Sequence, residues 1–285
     1  MPSEWLDDAL NVPCLRLRLR YVATSAVRTP SFPGYAIMGA LKGRLGAIAD
    51  DASQPADLRH YAHVVHGWHG ERASAPGLSE RPSVLVTDAP PLALRPGDEL
   101  TIGLTLFGEA AEVAARTYAA AGTELELNHG LLQLDAATPG TPAALGAASL
   151  GDAERLAAPG SRLRLETPAI LESRGVAIGP PATVGPLAVF ACKALEAVCG
   201  RRAPAATMDT LRSDAEALPV GGRGWRLSWV RDALGWNRRK RAVVSAALHL
   251  PPLGPDLARL VAAASLTHIG QSAAFGFGRY ALERP

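Results

Sequence analysis

Cysteine is scarce in this sequence, and long apolar runs are missing. The three cysteines, Cys14, Cys192 and Cys199, are an odd number spread along 285 residues. They are a poor basis for a disulfide framework, so we expect reduced, buried thiols. No apolar run reaches the ~18 residues that a membrane span needs. The opening MPSEWLDDALNVP carries acids where a signal peptide carries lysines. These absences predict a cytoplasmic protein with no membrane partner.

Two nucleotide-binding fingerprints are also missing, although the C-terminal segment HIGQSAAFGFGRYAL places Gly270, Gly276 and Gly278 within nine residues. A dinucleotide fingerprint needs G-x-G-x-x-G between a strand and a helix, whereas here the spacing is G-x₅-G-x-G and a strand follows. A P-loop is excluded because no Gly-Lys-Ser/Thr follows the glycines. Glycine permits positive φ and close backbone approach, so the segment predicts a loop that holds a phosphate chain or forms a turn. We expect no cofactor.

What the sequence does contain is enough apolar material for a sizeable core. Hydrophobic residues make up 48% of the chain, which is long enough for one large domain or two ordinary ones. Its 28 glycines and 23 prolines are about a fifth of the residues, below the level that signals disorder. The composition predicts a globular protein.

The net charge of +2 hides a basic segment near the C-terminus. Between residues 223 and 241, seven Lys and Arg residues stand against one acid, Asp232. Interleaved tryptophans suit this segment to phosphate pairing and base stacking. The alternative is a solvated charged face beside core aromatics. The residues that we predict to bind RNA here are Arg231, Trp236, Arg238, Arg239, Lys240 and Arg241.

Periodicity predicts strand, helix, strand, strand, helix, strand in the first half of the chain. CLRLRLRYV alternates leucine with arginine, as a strand with one buried face does. PGYAIMGALKGRLGAIADD has helical spacing and opens near Pro33, closing before Asp50. Two strands, PSVLVTDA and LTIGLTLFG, precede a helix over Glu109–Ala121, and ELELNHGLLQLD follows as a strand pair or bent strand. This is the order of a ferredoxin-like unit.

The second half repeats the same order. SRLRLETPAIL, GWRLSWVRD, AVVSAALHL and FGRYAL have strand character, while VGPLAVFACKALEAVCG and GPDLARLVAAASL have helical spacing. The sequence therefore predicts an α+β protein with two tandem ferredoxin-like, or RNA-recognition-like, domains and a C-terminal glycine-rich loop. We place the domains at residues 1–136 and 161–285, joined by a Pro/Gly-rich linker at 137–160.

Three segments resemble, in the same order, the CRISPR repeat-processing endoribonucleases of the sixth Cas family. RPSVLVTDAPPLALRPGDELTIGLTLFGEA resembles a first-domain segment of that family, WVRDALGWNRRKRAVVSAALHL its Trp/Arg-rich strand and basic turn, and HIGQSAAFGFGRY its glycine-rich loop. The resemblance covers most of the chain. It implies binding of CRISPR repeat RNA and metal-independent cleavage to mature crRNA. In that reaction the ribose 2′-hydroxyl attacks the adjacent phosphate and leaves a cyclic phosphate and a free 5′-hydroxyl.

Two other classes of protein compete with this interpretation. A non-catalytic RNA-binding subunit of a CRISPR effector complex would share the fold and the loop, and other Cas effector subunits are expected partners in either case. A metabolic enzyme of ferredoxin-like fold is the third class, but the sequence has no recognisable cofactor or nucleophile signal for it.

Cleavage of this kind needs a base near the 2′-oxygen, a cation beside the pentavalent phosphate and an acid for the leaving oxygen. Relatives often place a histidine in or after the first helix, whereas this helix carries Lys42 and Arg44. A guanidinium stabilises a transferring phosphate well. Arg20, Arg28, Lys42 and Arg44 would converge if the first strand and helix face the RNA, and such an arginine-based site fits the type IV branch. The residues that we predict to be catalytic are Arg20, Lys42, Arg44, His66 and His268.

The histidines recur three residues apart in HYAHVVHGWHGE, at His60, His63, His66 and His69. This spacing favours a surface helix, a catalytic role for one of them, or a zinc site, but His-only sets on one helix rarely close a tetrahedral site. We therefore assign no metal ligand. His268 precedes the glycine loop, where the competing interpretation is packing or capping. The remaining residues that we predict to bind RNA are Arg28, Gly270, Gly276, Gly278 and Arg279.

Overall fold

A computed structural model describes residues 2–29, 32–67, 78–87, 93–173, 175–222, 224–231 and 240–283. The chain divides into two compact units. The first unit comprises Pro13–Pro142 with Arg231–Arg239, and the second comprises Met1–Val12, Ala143–Val230 and Lys240–Pro285. Within the described ranges, no helix combines the length and apolar character that crossing a bilayer requires.

The helices and strands follow one another along the chain with short connections. The helices are α1 (Pro2–Leu10), α2 (Pro33–Asp50), α3 (Ala56–Gly67), α4 (Ala111–Ala121), α5 (Leu145–Ala148), α6 (Leu150–Ala157), α7 (Gly185–Cys199), α8 (Ala205–Glu216) and α9 (Pro255–Thr267), with a 3₁₀ turn at Ala273–Phe275. The strands are β1 (Pro13–Ala23), β2 (Val27–Arg28), β3 (Leu78–Val86), β4 (Ala93–Leu94), β5 (Glu99–Gly108), β6 (Glu124–Leu127), β7 (Gly130–Pro139), β8 (Ala143–Ala144), β9 (Arg162–Leu165), β10 (Glu172–Ser173), β11 (Val176–Ala177), β12 (Arg226–Arg231), β13 (Lys240–Ser245), β14 (Ala247–His249) and β15 (Tyr280–Glu283).

The main sheet of the first unit runs in the order β3-β5-β1-β7-β6. Its central strand β1 pairs antiparallel with β5 and with β7. Because side chains alternate along a strand, Leu17, Leu19 and Tyr21 point to one face and are buried under α2, α3 and α4. The arginines of the same strand lie on the open face. Strand, helix, strand, strand, helix, strand is the predicted ferredoxin-like order, and the structure confirms it.

The second unit has the same order of elements. β9 lies between β14 and β15, and Ala169 bridges Val244 of the β12–β13 pair. Leu163, Leu248 and Leu282 face the core of this unit, together with apolar residues of α7 and α9. Helix α1 also belongs to this unit, where Asp8 pairs with Arg201 at 3.0 Å. Residues 137–160, predicted as the linker, include the end of β7 and the helices α5 and α6.

Two local predictions can be compared directly with the structure: the helix that opens near Pro33 and the strand pair or bent strand ELELNHGLLQLD. The predicted helix near Pro33 to Asp50 is α2. ELELNHGLLQLD forms a hairpin of β6 and β7, and its two-residue turn places Asn128 and His129 at φ of 47° and 68°. Positive φ at both central residues matches the right-handed twist of paired strands.

Candidate functional site

The C-terminal glycine loop is hydrogen-bonded to the segment that follows β9. The bonds that join them or close the loop on itself include Gly278 N–H to Pro168 O (2.9 Å), Gln271 N–H to Ile170 O (3.0 Å), Ile269 N–H to Gly278 O (3.0 Å) and Thr167 Oγ1 to Gly276 O (2.7 Å). Gly276 and Gly278 are buried. In the structure, the glycine loop therefore binds the segment that follows β9, which belongs to the same unit.

Glycine is required at two positions of the loop by the protein's own backbone. Gly270 and Gly278 have φ of 84° and 72°, a region that L side chains rarely adopt. A Cβ at Gly270 would overlap the Ile170 carbonyl oxygen, and a Cβ at Gly278 would overlap the Ile269 carbonyl oxygen. Gly276, at φ 87°, ends the 3₁₀ turn. The close approach that the glycines permit is thus already used inside the second unit, and RNA binding by this loop stays a prediction.

His268, predicted as a catalytic candidate, is the residue that follows α9. It has φ 58° and its side chain is only 1% exposed. This burial supports the packing and capping interpretation over a catalytic one.

The predicted RNA-binding arginines beside the loop have acidic partners. Arg279 Nε lies 2.8 Å from Glu166 Oε2, and Arg241 lies 3.5 Å from Glu172 and 2.9 Å from the Gln271 amide oxygen. Glu172 is far from Arg241 in the sequence. Counting charges over residues 223–241 alone therefore overstates the unpaired positive charge of the basic segment. Any phosphate contact by these arginines must compete with the carboxylates.

The open face of the first unit carries a row of arginines from β1. Arg16, Arg18 and Arg20 are exposed, as the Leu/Arg alternation predicts. Arg20 forms an ion pair with Asp135 of β7. Within the described ranges, Arg16 and Arg18 form no ion pair. This row is suited to a polyanion that lies along the sheet.

Lys42 and His66 are predicted catalytic residues whose helices, α2 and α3, pack against each other. The His66 ring packs over Gly46 of α2, where a Cβ would lie 2.9 Å from His66 Nε2. Lys42 precedes Gly46 by four residues and therefore lies on the same face of α2, about 6 Å along its axis. Partial burial lowers the pKa of Lys42 below its ordinary value. The α2–α3 contact thus combines an imidazole with an amine that gives up its proton more readily than a free lysine.

The other predicted cations do not join this pair. Arg44 is two residues from Lys42, so it points to a different side of α2, where Nη2 lies 3.5 Å from Thr123 Oγ1. Arg20 lies on the open face of the sheet, opposite the face that α2 covers. Arg28 is exposed on β2. The structure thus places Arg20 and Lys42 on opposite sides of the sheet, and the convergence of Arg20, Arg28, Lys42 and Arg44, which requires the first strand and helix to face the RNA together, stays a prediction.

The histidines of α3 form a surface row. His60 and His63 lie on the exposed side of α3, whereas His66, although exposed, lies at the edge of that side, where its ring contacts Gly46 of α2. Among the described residues, no three His, Cys, Asp or Glu side chains are placed to hold a metal ion. His69 lies outside the described residues.

Two tyrosines of the first unit are poor candidates for the base. Burial raises the pKa of Tyr21 and of Tyr61 well above the ordinary value. Both phenols therefore hold their protons more strongly than a free tyrosine does, which makes them poor acceptors for the proton of a 2′-hydroxyl.

The basic segment is described only in part. Trp236, Arg238 and Arg239 lie outside the described residues, and Arg231 and Lys240 are described by backbone alone, at the ends of β12 and β13. Trp229, which the prediction did not include among the RNA-binding residues, is 64% exposed on β12. An exposed tryptophan in a basic strand is the signal that could have identified it.

Comparison with known proteins places this geometry in context. No family model and no curated protein sequence matches the chain. A structure titled "Cas6 (TTHB231) product complex" is 20% identical and covers 96% of this chain and 100% of its own, with a TM-score of 0.60; a title with the same designation names Thermus thermophilus. "Cas6 (TTHA0078) substrate mimic complex" is 18% identical, covers 94% of this chain and 99% of its own, and has a TM-score of 0.53.

A longer protein matches as well. "Partial Cas6-RT-Cas1--Cas2 complex" is 13% identical with a TM-score of 0.62 and covers 96% of this chain but 46% of its own, so this chain spans less than half of that length. At such identities the likeness concerns the fold. The chain has a Cas6-like fold of two tandem ferredoxin-like domains, as its sequence predicts.

Proposed function

We propose that this protein is a metal-independent endoribonuclease that binds CRISPR repeat RNA and cleaves it to mature crRNA. One observation carries the proposal: both units together match solved Cas6 structures over nearly the whole chain, among them structures titled as product and substrate-mimic complexes. The α2–α3 contact adds the chemistry, since Lys42 and His66 are the kinds of group that such a reaction needs.

The proposed reaction takes place at one RNA phosphate. His66 accepts the proton of the ribose 2′-hydroxyl as the 2′-oxygen forms its bond to phosphorus. Lys42, as an ammonium, stabilises the pentavalent phosphate and delivers a proton to the 5′-oxygen as the P–O5′ bond breaks. The products are a 2′,3′-cyclic phosphate and a free 5′-hydroxyl, and no metal takes part.

Arg20 and the other cations of the open face would then position the RNA. They lie on the side of the sheet away from Lys42, so we assign them to backbone binding. Other Cas subunits are proposed as further partners. The type IV branch is a finer proposal, supported by the Lys42 and Arg44 side chains in a helix without histidine.

The competing function is an RNA-binding subunit that does not cut. Purified protein is incubated with its neighbouring CRISPR repeat RNA in EDTA. Cleavage at one position, blocked by a single 2′-deoxy substitution there, supports the nuclease. A shifted but intact RNA supports the subunit, and the absence of both binding and cleavage refutes both.

A further inference from the structure

An open cavity of about 490 Å³ lies in the second unit, away from the glycine loop residues discussed above. Arg162, Gly222, Ala247 and His249 line it. Its volume is within the ~300–1,000 Å³ range of small-ligand sites. Among the described residues that line this cavity, none is predicted from the sequence to act in catalysis or RNA binding.

Two large polar residues, Arg162 and His249, and two very small ones, Gly222 and Ala247, line the cavity. Arg162 of β9 is directly opposite His249 of β14. The edge of β14 is extended by Gly221, whose N–H donates to His249 O at 3.1 Å. A Cβ at Gly222 would lie 2.8 Å from Ala247 O, so a larger residue there would force the backbone apart. Gly222 and Ala247 therefore form the low part of the lining, beside Arg162 and His249.

Arg162 has hydrogen-bonding capacity to spare. Its Nε is shielded from solvent, and within the described part of the chain this atom has no hydrogen-bond partner. Glu283 approaches Nη1 only to 3.8 Å, because its other oxygen is held by Arg164 Nε at 2.5 Å. Because Nε is shielded, a ligand in the cavity would have to bind the terminal nitrogens of Arg162, whose side chain is 43% exposed.

We propose that this cavity binds one phosphodiester of the RNA, with the Arg162 guanidinium as its principal donor and His249 as a second. The inference rests on the proposed function. Arginine's fork matches phosphate oxygens and can bind two of them. The nearby carboxylate of Glu283 is compensated by Arg164. Among the described lining residues the His249 ring is the only aromatic group, so we assign the site to the RNA backbone, which carries no sequence information.

The test locates a single phosphate. Repeat RNAs with one methylphosphonate at each position in turn are titrated against the wild type and against Arg162→Ala. We expect one position at which the uncharged linkage weakens wild-type binding at least tenfold but leaves the variant unaffected. The slope of log affinity against log salt should fall by about 0.7 in the variant, the value for one contact to a single strand.

Two further variants control for folding and charge. Arg162→Lys keeps the positive charge near Glu283 but lacks the forked guanidinium. The methylphosphonate that weakens wild-type binding should therefore weaken the binding of this variant much less. Arg212→Ala removes an exposed arginine that pairs with Glu216 on α8, and should keep the wild-type profile. Each variant is compared at equal helical content and melting temperature.

Each outcome decides the inference. Identical methylphosphonate profiles for wild type and Arg162→Ala overturn it. If inorganic phosphate raises the melting temperature of wild type alone while the RNA profiles coincide, the cavity binds a free anion and the RNA assignment is overturned. Failure of the wild type to bind RNA overturns it together with the proposed function. Binding without cleavage, with the Arg162-dependent position present, supports the site and refutes only the nuclease.

Discussion

Replacement of Gly278 by alanine tests whether this glycine is needed for the stability of the loop or for RNA binding. A Cβ at this position would overlap the Ile269 carbonyl oxygen, so the backbone must move. Two hydrogen bonds then weaken together: the Gly278 N–H to Pro168 O at 2.9 Å and the Ile269 N–H to Gly278 O at 3.0 Å.

Gly200, at the end of α7, is the matched control for the backbone conformation. Its φ of 68° is close to the 72° of Gly278, but nothing lies within 4 Å of a Cβ placed there. Alanine at Gly200 should cost only the left-handed conformation, about 1–2 kcal/mol. Alanine at Gly278 adds about 1–3 kcal/mol for two disrupted hydrogen bonds.

Thermal or urea unfolding measures the difference, which corresponds to about 2–4 °C in melting temperature per kcal/mol for a domain of this size. RNA affinity is measured well below both transitions. The reasoning is refuted if Gly278→Ala melts no lower than Gly200→Ala yet loses RNA binding, since the glycine would then serve the RNA.

Three further predictions concern the proposed site. Because burial lowers the pKa of Lys42, its ammonium form is lost as pH rises through a value below that of free lysine; the cleavage rate should fall there, and Lys42→Arg should remove that fall. His66→Ala should reduce the single-turnover rate by about 10²–10⁴-fold at saturating enzyme with unchanged affinity; an unchanged rate would exclude His66 as the base. Arg20→Ala should do the reverse, weakening binding while the saturated rate is kept, and a rate loss at saturation would return Arg20 to the catalytic group.

Local patterns predicted the fold because each ferredoxin-like unit is built from them. The Leu/Arg alternation of β1 specifies a strand with one buried face, and helical spacing specifies α2. Non-local pairs could not be predicted in this way. Helix α1 packs in the second unit, where its Asp7 lies 2.5 Å from Arg259, yet its composition indicates only an acidic start. Likewise, no local rule connects Glu166 with Arg279 across 113 residues of chain.

The same distinction between local patterns and non-local contacts applies to the candidate site. Spacing alone shows that Lys42 and Arg44 diverge on one helix, since residues two apart do not share a face. It also shows that the arginines of β1 share one side of a strand. It cannot show which side the helices cover, and that choice separates Arg20 from Lys42. It cannot show either that α3 packs on α2 with the His66 ring over Gly46, four residues from Lys42. The proposed pairing of Lys42 with His66 therefore depends on tertiary packing, and a side chain at position 46 would require the His66 ring to move.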